Sequence, residues 1–121
     1  MTKITLPWPP KQLSPNARVH WGIKSKLAKS YRKNCFIYAY AAKDKKINYS
    51  QYEKLHLFVD FYATDKRHRD LDNCISSIKS GLDGVADALG VNDKVFIIHP
   101  ILKDETFKGG KIEIRISVNE H

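Results

Sequence analysis

Six apolar residues, Leu71, Ile75, Ile78, Leu82, Val85 and Leu89, recur at intervals of four, three, four, three and four. A stripe with that period faces one way only from an α-helix, and it needs an apolar surface to cover it. Two segments offer that surface. Leu55, Leu57, Val59 and Phe61 alternate with His56, Phe58, Asp60 and Tyr62, and Ile112, Ile114, Ile116 and Val118 alternate through the segment from Lys111 to Val118. Period-two patterns of this kind are strands with one covered face; the mixed set opposite Leu55 predicts a second face that is half covered.

The breakers place the rest. Lys3 to Leu6 reads as a short strand stopped by Pro7-Trp8-Pro9-Pro10, which has no ladder donors at its prolines. Residues 11–22 read as a loop in which basic and aromatic residues alternate. Lys24 to Lys43 has no Pro or Gly and reads as a helix, with Leu27, Tyr31, Tyr38 and Ala42 near one face. The second helix spans Leu71 to Leu89 and stops at Gly90. Val95 to Leu102 reads as a strand interrupted by Pro100. The expected fold class is α+β, two main helices against a small sheet in the order β-α-β-α-β-β, and 121 residues make one domain.

Twenty-one Lys and Arg against 13 Asp and Glu leave a net charge of +8, which suits an anionic partner or simple solubility. Cys35 and Cys74 are far apart with no CxxC, as in a reduced protein, although spacing alone leaves a disulfide open. The start lacks a signal-like apolar run, and no stretch approaches the ~20 residues of a membrane span, so a cytoplasmic location is expected. The histidines, His20, His56, His68, His99 and His121, show no zinc spacing. Phosphate-cradling P-loops, GxGxxG and GxSxG are absent from the sequence.

The chemistry gathers at Arg69-Asp70-Leu71-Asp72-Asn73, at the end of the basic run Lys66-Arg67-His68-Arg69. Asp70 falls where loop gives way to helix, and an aspartate there is accounted for as an N-cap. A cap explains one aspartate better than two. Asp72, Ser76, Lys79 and Asp83 share a helical face, and the Lys79 side chain slants back toward the helix start. Asn92-Asp93 follows the helix; an aspartate in that position is also a common turn former. Clustered carboxylates in a basic chain suit Mg²⁺ or Mn²⁺, with lysines and arginines on a phosphate backbone. A DxD motif is shared with sugar-nucleotide transferases and with incidental loops. A basic nucleic-acid-binding module without catalysis uses the same residues as caps and ion pairs.

Ile4-Thr5-Leu6-Pro7-Trp8-Pro9-Pro10, the basic run into Asp70-Leu71-Asp72-Asn73, the Asp beyond the long helix and Lys108-Gly109-Gly110 together resemble the RusA family of Holliday junction resolvases. The resemblance covers most of the chain. It implies a mixed sheet, a homodimer, a Mg²⁺ cofactor for which Mn²⁺ substitutes, and paired nicking of branched DNA such as four-way junctions, with no nucleotide cofactor and no membrane. It implies Asp70, Asp72 and Asp93 as metal ligands. The family lysine often stands four residues after the second aspartate, where this chain has Ser76; Lys79, one turn later on the same face, takes that catalytic role. A family aspartate is replaced by Asn92, a candidate neutral ligand. Lys66, Arg67, His68 and Arg69 become phosphate contacts, and Lys24, Lys26, Lys29 and Arg32 duplex-arm contacts.

Overall fold

The computed structural model describes residues 2–118; Met1 and residues 119–121, including His121, lie outside the described part. In chain order the elements are β1 (Thr2–Pro7), α1 (Trp21–Ala42), β2 (Leu55–Tyr62), α2 (Leu71–Ser77), α3 (Lys79–Leu89), β3 (Phe96–Leu102) and β4 (Lys111–Val118). Short 3-10 turns lie at Lys11–Leu13, Tyr49–Gln51 and Asp93–Val95. The strands form one mixed sheet in the order β1-β4-β2-β3. β4 runs antiparallel to β1 and β2, while β3 lies parallel to β2. The parallel pair follows from chain length, because α2 and α3 carry the chain back to the starting end of β2.

The alternating patterns build the core as expected. Ile4, Leu6, Leu55, Leu57, Val59, Phe61, Ile112, Ile114 and Ile116 are buried under the helices. From the helical side come Ile78, Leu82, Val85 and Leu89, with Leu71 and Ile75 half-buried at the margin. The other sheet face carries His56, Phe58 and Tyr62 half-buried; Arg115 lies 5.4 Å over the Phe58 ring. β3 runs through Pro100 without a break, because it is an edge strand and a missing donor there costs the ladder little.

Two helices differ from their expected form. α1 begins at Trp21, since the His20 ring caps it by accepting the Gly22 N–H at 3.1 Å. Its buried face is Tyr31, Cys35 and Ala39, and both Tyr38 and Ala42 point outward. The reason lies across the interface in α3. A Cβ on Gly81 would come 2.6 Å from the Tyr31 ring and 2.9 Å from Cys35 Sγ, and one on Gly84 would overlap the Arg32 carbonyl oxygen. The helices approach too closely for side chains at those positions, and Tyr31 and Cys35 of α1 lie over Gly81.

The second expected helix is two. Hydrogen bonding is interrupted at Ile78, whose N–H reaches Ile75 O at 3.2 Å, and resumes with Leu82 N–H on Ile78 O at 2.9 Å. The Ser77 hydroxyl donates to Asn73 O at 2.7 Å, a back-bond of the kind that bends helices.

Both cysteines are free and buried. Burial pushes the Cys35 thiol up to about 12, which makes it inert at neutral pH. Next to it, Tyr31 donates its hydroxyl to Pro7 O at 2.7 Å, fixing the end of β1 against α1 and so the entry of the Trp8 loop.

Candidate functional site

Asp70 caps α2. Its Oδ1 accepts the Asp72 N–H at 2.8 Å and the Asn73 N–H at 3.4 Å, which satisfies two of the helix's free donors. Both bonds fall on one oxygen. Asp70 and Asp72 are exposed together at the positive end of the helix. Beside them a cleft of about 420 Å³ opens between the N-terminal loop and α2, lined by Trp8, Pro10, Asn16, Arg69, Asp70 and Asn73 among others.

The basic run ahead of Asp70 has an organiser that the sequence reading did not single out. Asp65 accepts the Arg67 N–H at 3.0 Å and pairs with the guanidinium groups of Arg67 and Arg69 at 3.3 and 3.1 Å. The Arg67 backbone N–H is the main reason its carboxyl sits below the usual carboxylate range. The legible signal was an aspartate two residues ahead of a loop arginine, which is the spacing of an Asx turn. Arg69 also donates to the Asp65 and Arg67 carbonyls, each at 2.9 Å, and lies 5.9 Å over the Trp8 ring. It braces the loop. Lys66, Arg67 and His68 remain exposed along a shallow hollow of about 550 Å³.

Lys79 is exposed in a groove of about 340 Å³ between the start of α1 and the α2–α3 segment, with Trp21, Lys24, Ser76, Ser80 and Asp83. Lys24 Nζ donates to Ser14 O at 3.4 Å, while Lys26 and Lys29 project from α1 into solvent. Arg32, one of the expected duplex-arm contacts, is half-exposed and already paired. It grips Asp87 with two bonds, Nε to Oδ2 at 2.8 Å and Nη2 to Oδ1 at 3.0 Å, and ties α1 to α3.

Asp93 does not join Asp70 and Asp72 within the chain. It opens the 3-10 turn after α3 and meets Asp83, whose carboxyl is raised first by burial and then by the Asp93 charge and hydrogen bond. Asp83, Asp87, Asn92 and Asp93 share a small hollow with Arg32, and none of them lines the cleft beside Asp70. Asp70 opens α2, whereas Asp83 lies within α3 and Asp93 beyond its end, so the two acidic groups sit on different elements. Among the described residues, no three His, Cys, Asp or Glu side chains form a group able to hold a metal ion. The expected three-aspartate cluster is thus corrected to two acidic poles, with Lys79 between them. Asn92 has a local task as well, since its Oδ1 accepts the Lys94 N–H at 2.9 Å.

Among the described residues, no helix is long and apolar enough to cross a membrane. No protein-family model matches the chain. A Xylella fastidiosa (strain Temecula1 / ATCC 700964) protein described as uncharacterized is 39% identical over 117 residues, covering 97% of this chain and 76% of that protein. The chain belongs to the same family as that Xylella protein.

Proposed function

We propose that the protein is a metal-dependent endodeoxyribonuclease that resolves branched DNA, four-way junctions among them, as a homodimer. The observation that carries this reading is the α2 start, where Asp70 and Asp72 stand exposed at a positive helix end behind a basic loop held by Asp65. The resemblance to RusA-type resolvases, drawn from the same residues, supports it.

The donor set suits a hard cation. Capping engages Oδ1 of Asp70, Asp72 is exposed, and a hydrated Mg²⁺ held by few carboxylates is the usual arrangement at phosphodiester sites. One chain supplies two ligands and leaves its Asp93 at the far pole. A two-fold dimer with α2–α3 segments side by side and opposed would bring Asp93 of a second copy to Asp70 and Asp72, twice over. Ile37 and Tyr38, 55% and 51% accessible, lie on the outer side of α1 and are apolar surface outside that contact. Two composite sites suit two nicks.

In this scheme Asp70, Asp72 and Asp93 hold the cation. A divalent cation held there would supply water activation and charge neutralisation at the scissile phosphate. Lys79 stabilises the extra negative charge of the pentacovalent transition state. Lys66, Arg67 and His68 fix the strand by its phosphates, which positions it without reading sequence.

Asp72→Asn is the test. With a synthetic four-way junction and Mg²⁺ or Mn²⁺, the variant should lose cutting by a factor of about 100 or more while its binding holds or tightens, because a carboxylate–phosphate repulsion is gone. Cutting at the wild-type rate would remove Asp72 from the chemistry.

A second reading is favoured by the capping bonds of Asp70, which give that carboxylate a structural task without any metal. In it the protein binds nucleic acid through the basic loop and does not cut. A melting temperature that ignores Mg²⁺, with salt-sensitive DNA binding, would select this alternative.

A further inference from the structure

Trp21 is the most exposed large apolar side chain among those described, at 77%, and it sits in a setting that fits a particular ligand. It is the first residue of α1, where the backbone is held by the His20 cap, and the His20 ring stacks on the indole at 5.7 Å with 30° between planes. The indole stacks on one neighbour and stands mostly in water. It forms one lip of the groove that holds Lys24, Ser76, Lys79 and Ser80. An exposed aromatic face, two ammonium groups, four serines and the Asp83 carboxylate line a volume of about 340 Å³, room for one planar base with a phosphate beside Lys24.

A second copy of this chain fits less well. Arg18, Lys24 and Lys26 surround Trp21 in sequence, and a two-fold contact of this surface with itself would set like charges against each other. The outer side of α1 near Ile37 has no such crowd of cations.

We propose that Trp21 is a stacking platform for an unpaired nucleobase, with Lys24 holding a flanking phosphate. A continuous duplex keeps its bases stacked and offers none to the indole, whereas a branch point or a single strand does. Trp21 is thereby a specificity-determining residue that sorts branched from linear DNA. This inference rests on the nucleic-acid reading above, and not on the chemistry of cutting.

The test uses the full chain in EDTA, so that nothing is cut, with 2-aminopurine placed at the branch point of a four-way junction, in a single strand and within a blunt duplex. The wild type should quench the probe in the first two and leave the duplex probe unchanged. Trp21→Ala should abolish the quench and weaken junction and single-strand binding about tenfold, with duplex affinity changed less than twofold. Trp21→Phe should restore most of the loss, which also controls for folding. Unchanged junction and single-strand binding by Trp21→Ala would overturn the proposal. So would a shift of Trp21→Ala to a smaller species in sedimentation, which assigns the indole to a subunit contact. The nuclease reading is judged apart from this, by Mg²⁺-dependent cutting of the same junction. Quenching without cutting sinks the nuclease and keeps the platform; normal cutting without quenching does the reverse.

Discussion

Asp70 shows why a single residue can be read two ways from sequence and why both can hold. Its place at the start of a helix was legible, because an aspartate between a basic loop and an apolar-periodic segment is where a cap belongs. What spacing could not reveal is that the two capping bonds converge on Oδ1. The two roles separate cleanly in variants, because Asn caps about as well as Asp and Ala does not. Asp70→Asn should therefore lose junction cutting while stability moves by less than ~0.5 kcal/mol; Asp70→Ala should lose cutting and about 1 kcal/mol as well. Urea denaturation beside a cleavage assay checks both. If Asp70→Asn cuts normally, the carboxylate is a cap and nothing more. Asp65 was harder to read, since its partners are backbone and guanidinium groups of a loop that has no periodicity to announce it.

At the level of elements, the apolar stripes of β2, β4 and the α2–α3 segment were legible because burial on one face imposes a period. The rotation of α1 was not. Its sequence is apolar on several sides, and the side that turns inward is chosen by its neighbour, through Gly81 and Gly84 of α3. Those glycines read in isolation as weak points of a helix, costing about 1 kcal/mol each against Ala. The fold reverses that sign. Gly84→Ala gains propensity but drives a methyl group into the Arg32 backbone carbonyl, which cannot yield as a flexible side chain would. The expected outcome is a net loss of about 2 kcal/mol or more, with the Arg32–Asp87 tie disturbed. Thermal melting decides it, and a variant more stable than wild type would show that α1 and α3 do not cross so closely. The interruption at Ile78 was equally hidden, since it follows from one serine hydroxyl bending back to Asn73 O.

For the molecule as a whole, the sequence named Asp70, Asp72 and Asp93 but not their separation, because the direction of a chain after Gly90 is not written in spacing. The two poles turn that gap into a prediction about assembly. Consider Asp72→Asn and Asp93→Asn, each inactive alone. If every site lay within one chain, mixed dimers would hold one damaged site in each copy and stay inactive. If each site joins Asp70 and Asp72 of one copy to Asp93 of the other, a mixed dimer concentrates both lesions in one site and leaves its second site whole. Random exchange makes about half the dimers mixed, so cutting should return to about a quarter of wild type counted per site, by the symmetry of a two-fold pair. The product discriminates further. One intact site per dimer nicks one strand of a junction and does not complete the paired cut, so nicked junctions should accumulate in place of resolved duplexes. Co-refolding the two variants and separating the products on denaturing and native gels gives the answer. No recovery on mixing, with exchange verified by a tagged copy, would mean that Asp93 of a second chain does not reach the Asp70 end and that the composite arrangement is wrong.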